Sequence, residues 1–73
     1  MYVTIEYCGE WNYQARAARL AKKIKHSTET DALLLKSRGG VFEVTVDDML
    51  IYSKKATGTF PRDDEIIAML KDR

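Results

Sequence analysis

An α/β domain ordered strand–helix–strand–strand–strand–helix is the architecture encoded by this chain of 73 residues. Three patterns carry that reading. Tyr2–Cys8 and Val41–Val46 alternate apolar and polar residues at the period of a half-buried strand. Between them, Trp11–Lys25 repeats its apolar residues at helical spacing. The opening strand–helix–strand unit implies a right-handed crossover with parallel pairing of the first two strands, to which a later hairpin adds two antiparallel strands. The expected result is a mixed four-stranded sheet with two helices. Residues 1–73 form one domain, because ordinary domains run to roughly 100–200 residues.

In the first strand Val3, Ile5 and Tyr7 alternate with Thr4 and Glu6, and Gly9-Glu10 follows it. In the first helix Tyr13, Ala17, Leu20, Ala21 and Ile24 form the expected buried stripe. Ser27–Thr30 lacks good helix formers and ends that helix. Ala32–Lys36 is an apolar run too short for a helix and is expected as a buried strand. Lys36–Gly40 is a turn, after which Val41, Glu43 and Thr45 point one way and Phe42, Val44 and Val46 the other. Asp47-Asp48 suits a two-residue hairpin turn, because Asp tolerates left-handed backbone better than most residues. Met49–Ser53 is the return strand, and Lys55–Phe60 is a loop containing Gly58. Pro61 sits just before or inside the first turn of the last helix. There Asp63, Asp64 and Glu65 complement the positive end, and Ile66, Ile67, Met69 and Leu70 supply the apolar face.

Composition bounds the function. Hydrophobic residues at 45% and charged residues at 32% suit a soluble globule rather than a disordered tail. Twelve Lys and Arg against eleven Asp and Glu leave a net charge of +1, which weighs against strong attraction to nucleic acid or membrane. The longest strictly apolar runs, Ala32–Leu35 and Met49–Tyr52, hold four residues each, against the ~20 of a membrane span. No secretory signal is expected from the Met1–Glu6 opening. One cysteine and one histidine rule out an internal disulfide framework, argue against a metal cluster, and fit a thiol kept reduced in the cytoplasm.

That cysteine, Cys8, ends a strand just before a helix. A thiol so placed meets unpaired amides at the positive helix end, which favour its thiolate, while the charge of Glu10 opposes the effect. The alternative is a thiol buried as a small apolar residue.

Three segments then stand in order. Tyr7-Cys8-Gly9-Glu10-Trp11-Asn12-Tyr13, Gly40-Val41-Phe42-Glu43-Val44 and Leu50-Ile51-Tyr52-Ser53-Lys54-Lys55 resemble the selenoprotein W family, also called Rdx-type. Gly58-Thr59-Phe60-Pro61 continues the match, which covers most of the chain. The resemblance implies a thioredoxin-like fold and a thiol-dependent role in redox homeostasis. It also implies Cys8 as the catalytic thiol, and mixed disulfides with glutathione or a protein partner. The chain departs from the family at Trp11, where the family carries selenocysteine or a second cysteine. Without a second thiol or selenol, no internal dithiol–disulfide cycle can run, and a mixed disulfide at Cys8 must be released by an outside thiol. Selenocysteine (UGA) and tryptophan (UGG) differ by one base. A native selenocysteine at position 11 is thus a second reading, which a UGG codon in the gene would exclude.

Topology selects the neighbours of Cys8. The third strand starts and the fourth ends at the sheet edge where the first finishes, which brings Gly39-Gly40-Val41 and Lys54–Phe60 around the thiol. Gly9 and Gly40 would leave backbone open to an extended partner. Lys54 and Lys55 are candidates to stabilise a thiolate, with solvated surface lysines as the alternative. Trp11 and Phe60 either form an exposed aromatic patch for a partner or pack on the sheet. His26 is a base by residue type but stands about 24 Å along a helix from Cys8, at a rise of ~1.5 Å per residue. Arg16, Arg19, Lys22, Lys23 and Lys25, with no acid between Trp11 and Thr28, suit an acidic protein or a phosphate backbone; charge balance favours a solvated face.

The expectation is a cytoplasmic thiol redox protein using Cys8 alone, with no metal or organic cofactor beyond glutathione as co-substrate. A non-enzymatic interaction module with the same fold is the alternative. The protein is expected as a monomer or weak dimer, and an exposed Cys8 would permit an intermolecular disulfide under oxidising conditions.

Overall fold

The computed structural model describes residues 1–72. Its elements are β1 (Val3–Cys8), α1 (Gln14–Thr28), β2 (Leu33–Ser37), β3 (Phe42–Val46), β4 (Met49–Ser53), α2 (Lys54–Thr57) and α3 (Asp63–Lys71). The sheet runs β2-β1-β3-β4, with β1 parallel to β2 and antiparallel to β3, and β3 antiparallel to β4. Both pairings expected from the chain order are present.

Register explains the core. Val3 pairs with Val46, Ile5 with Val44 and Tyr7 with Phe42, so six apolar side chains share one face of the central strands. Ala17, Leu20 and Ile24 of α1 and Ile66 and Leu70 of α3 close over that face. Burying each of the large members contributes about 1.5–3 kcal/mol. Tyr13 and Ala21 pack against this cluster half-buried, as the helical stripe required. Met69, placed on the apolar face of the last helix by spacing, is instead exposed.

Ala32–Lys36 proves not to be a buried strand. As β2 it lies at the sheet edge, and both longer helices occupy the opposite face from two of its leucines. Leu34 turns toward the core, whereas Leu33 and Leu35, paired beside Thr4 and Glu6, stay 46% and 42% exposed.

Helix α1 starts and stops three residues later than its apolar pattern indicates. Asn12 adopts a left-handed conformation (φ 59°), so helical bonding begins with Ala17 N–H donating to the Tyr13 carbonyl at 3.0 Å. At the far end the Thr28 hydroxyl donates to the Ile24 carbonyl at 2.7 Å, and left-handed Glu29 caps Lys25 at 2.9 Å. These bonds satisfy carbonyls that would otherwise fray, and carry the helix through Ser27.

A third helix, the single turn α2, stands where a loop was expected. The Ser53 hydroxyl accepts from Ala56 N–H at 3.1 Å, and Gly58 (φ 81°) donates back to the Lys54 carbonyl at 2.7 Å. Asp47 and Asp48 both take positive φ (50° and 68°) and make the hairpin turn. Pro61 precedes α3, whose first turn holds Asp63, Asp64 and Glu65.

Candidate functional site

Strand β1 carries Cys8 to its carboxyl end, in register with Ser37 of β2. The Cys8 amide donates to the Val41 carbonyl at 2.9 Å, and the Gly9 amide to the Ser37 carbonyl at 2.9 Å. Three chain segments therefore meet at the thiol: the end of β1, the end of β2 and the glycine-rich entry to β3. Of the Gly39-Gly40-Val41 segment expected there from topology, Val41 is bonded to Cys8.

Cys8 is fully buried (0% exposed), which realises the sequence-based alternative of a thiol packed as a small apolar residue. It sits outside the main core cluster, because alternation turns it away from the face of Ile5 and Tyr7. Nor does a helix follow it directly. Gly9–Asn12 forms turns, and α1 begins only at Gln14, so the adjacent strand-to-helix step that would polarise the thiol is replaced by a turn.

Trp11, on the turn that follows β1, is 61% exposed. Its ring lies against Gly40, where an added Cβ would strike the indole, and Gly40 itself needs φ 74°. Gly9 is crowded in the same manner by the Lys36 side chain. From Trp11 an edge-to-face series of rings runs inward. Trp11 and Tyr13 lie 6.1 Å apart, Tyr13 and Phe60 4.7 Å, and Phe60 and Phe42 5.5 Å. The exposed indole is thus tied to the fully buried Phe42, so the two sequence-based alternatives for Trp11 and Phe60 are both partly realised.

Cations dress this series. The Arg16 guanidinium lies 4.1 Å from the Phe60 centroid, and Lys54 Nζ lies 5.3 Å from Phe60 and 5.6 Å from Tyr13. Lys54, expected beside the thiol, is occupied by these rings. Lys55 is exposed, and its amide donates to Glu43 Oε2 at 3.4 Å. The other Glu43 oxygen accepts from the Ser53 hydroxyl at 2.6 Å, which fixes the end of β4 beside β3. Glu10 is exposed on the turn, and His26 is exposed in the last turn of α1.

Tyr13, Arg16, Lys36 and the carbonyls of Ser37 and Val41 belong to this region although residue type did not mark them. The strand register was the available signal for Ser37 and Lys36. Among the described residues, no three His, Cys, Asp or Glu side chains come together as a metal site. No described helix is long and apolar enough to cross a membrane.

Comparison with known proteins adds the family. The profile of the Rdx family matches residues 2–72. A selenoprotein W-related protein from Vibrio cholerae has a structure superposing with a TM-score of 0.90 at 26% identity, over 97% of this chain and 92% of that one. A Bordetella parapertussis structure superposes at a TM-score of 0.91 and 22% identity, over 97% and 94% of the two chains. Mouse migration and invasion enhancer 1 is 26% identical over an alignment of 74 residues, which covers 97% of this chain but only 63% of the mouse protein. The fold is the thioredoxin-like α/β arrangement that the resemblance implied, and the chain belongs to the Rdx family.

Proposed function

We propose that this protein is a single-cysteine thiol redox protein acting through Cys8. The observation that carries the reading is the placement of its one cysteine at the carboxyl end of the central strand of a Rdx-family fold, where three segments converge. Family membership supports a redox-associated role, and the single thiol narrows the chemistry. The Cys8 thiolate attacks one sulfur of a disulfide; the new Cys8–S–S bond forms as the old bond breaks and the second sulfur leaves as a thiolate. An outside thiol such as glutathione then attacks the mixed disulfide and releases Cys8 reduced. Trp11 takes no part in electron transfer and contributes an aromatic surface for the partner. No metal or organic cofactor enters these steps, and a reducing cytoplasm is the compartment that fits them.

Burial sets the kinetics. A fully buried sulfur reacts only when its cover opens, and the Gly9–Asn12 turn, joined to β2 through Gly9 N–H, is the segment placed to move. The test is incubation of the folded protein with oxidised glutathione, followed by intact mass. One glutathione per chain, removed by excess thiol and absent in Cys8→Ser, is the expected result. Modification only after unfolding overturns the proposal.

The same burial, with Trp11 exposed at the second redox position, favours a second reading: an interaction module without thiol chemistry. Under it, partner binding survives Cys8→Ser and is lost in Trp11→Ala.

A further inference from the structure

The basic residues of α1 do not simply face water. Arg19, Lys22, Lys23 and His26 line a groove of about 730 Å³ that α1 forms with α3, whose Ile67 and Asp64 contribute from the other side. On α1 those four positions are i, i+3, i+4 and i+7, one stripe about 10 Å long at 1.5 Å per residue.

Charge in the groove is unevenly satisfied. Arg19 Nε (3.1 Å) and Lys23 Nζ (3.4 Å) share a single carboxylate, Asp63, while Lys25 pairs with Asp31 at 3.4 Å. Asp64, the acidic member of the lining, is bound by Arg62 at 3.1 Å, and that guanidinium holds its carboxyl below the usual range. Among the described residues, Lys22 and His26 make no ion pair. With Lys25, which also lines the groove, the lining carries four Lys and Arg side chains to one carboxylate, although the whole chain has a net charge of only +1. Ile67 is half-buried and packs against the core cluster, so it gives the groove an apolar floor, and the alkyl stems of the lysines extend that floor.

We propose that this groove binds an acidic amphipathic helix of a partner protein. A partner helix with carboxylates at i, i+3 and i+4 meets Arg19, Lys22 and Lys23 in register, and its adjoining apolar residues cover Ile67. A phosphate backbone matches the cations but gains nothing from the apolar floor. The groove does not involve Cys8, so its occupancy and the thiol chemistry are separable functions of one small domain.

The test uses a fluorescently labelled synthetic helical peptide of about four turns, with Glu at the stated spacing and Leu on the adjoining face. Its anisotropy titration with the whole protein should saturate. Lys22→Glu should weaken binding roughly tenfold, since reversal of an exposed charge removes an attraction and adds a repulsion. Arg38→Glu makes the same change in net charge on an exposed turn outside the groove and should leave affinity unchanged. Cys8→Ser should also bind normally, which separates this outcome from failure of the redox reading. Ile67→Thr, checked for folding by circular dichroism, should lose several-fold. Equal weakening by Arg38→Glu, tighter binding of an oligothymidylate of equal charge, or no saturation at millimolar protein would each overturn the proposal.

Discussion

Removing the Phe60 ring is the sharpest probe of how the surroundings of Cys8 are held. Phe60 is the hub of the ring series, half-buried, with edge contacts to Tyr13 at 4.7 Å and Phe42 at 5.5 Å. A fully buried Phe→Ala costs about 3–5 kcal/mol, so half-burial sets the area and cavity loss near ~2 kcal/mol. Each aromatic pair adds ~0.5–1.5 kcal/mol beyond area, and the Arg16 and Lys54 contacts roughly 0.5–1 kcal/mol each where exposed. These contributions overlap, and a net loss of about 3 kcal/mol is expected for Phe60→Ala. A chain of this length has a total stability of only ~4–11 kcal/mol, so the loss is a large fraction of it. It corresponds to a drop in Tm of about 12–24 °C.

Urea unfolding, followed in parallel by far-ultraviolet circular dichroism and Trp11 fluorescence, measures it. Phe60→Leu keeps most of the buried area and should lose only about 1–2 kcal/mol, the ring-specific share. The functional readout is alkylation of Cys8 in the folded state, which should accelerate in Phe60→Ala because the segment before Pro61 no longer anchors Tyr13 and Trp11. A loss under ~1 kcal/mol with unchanged alkylation would refute the ring series as the support of this region.

Three further outcomes follow from backbone and charge. Gly40→Ala forces both a positive φ and a collision with Trp11, and should cost ~2 kcal/mol, whereas Gly39→Ala meets the same φ penalty in open space and should cost ~1 kcal/mol; the difference between the two urea midpoints should vanish in a Trp11→Ala background. Asp48→Gly, at φ 68° in the hairpin turn, should stabilise by about 0.5–1 kcal/mol and raise Tm by several degrees, while Asp47 is kept because its carboxylate accepts from Tyr2 N–H at 2.8 Å. Glu6 and Glu43 stand directly opposite across β1 and β3, so Glu6→Gln should stabilise by roughly 0.5 kcal/mol in low salt and by less in molar salt. An unchanged denaturation midpoint at low salt would show that these carboxylates do not repel.

Much of the site was legible because it depends on local pattern and chain order. Alternation in Val3–Tyr7 and Phe42–Val46 predicts which residues share the buried face, since pleating has a fixed period of two, and the register bears this out. Chain order and crossover handedness bring Gly40-Val41 to the end of β1, and the Cys8 N–H bond to Val41 realises it. The leucines of β2 read differently because an apolar run carries no information about which sheet face the helices leave open. Trp11 was recognisable as a substitution in a motif, yet its tie to Tyr13 depends on Asn12 taking a left-handed conformation.

By itself, then, the sequence determined the order of the four strands and two longer helices, the residues of the central core face, the single thiol and the family to which these motifs point. These depend on the periods of helix and strand and on residue identity, which are local properties. Only the tertiary structure decided that Cys8 is sealed from solvent, that Lys54 lies over aromatic rings, and that the cations of α1 line a groove against α3. Each is a relation between segments far apart in the chain. Burial and groove shape arise from how packed elements cover one another, and one-dimensional periodicity holds no record of that.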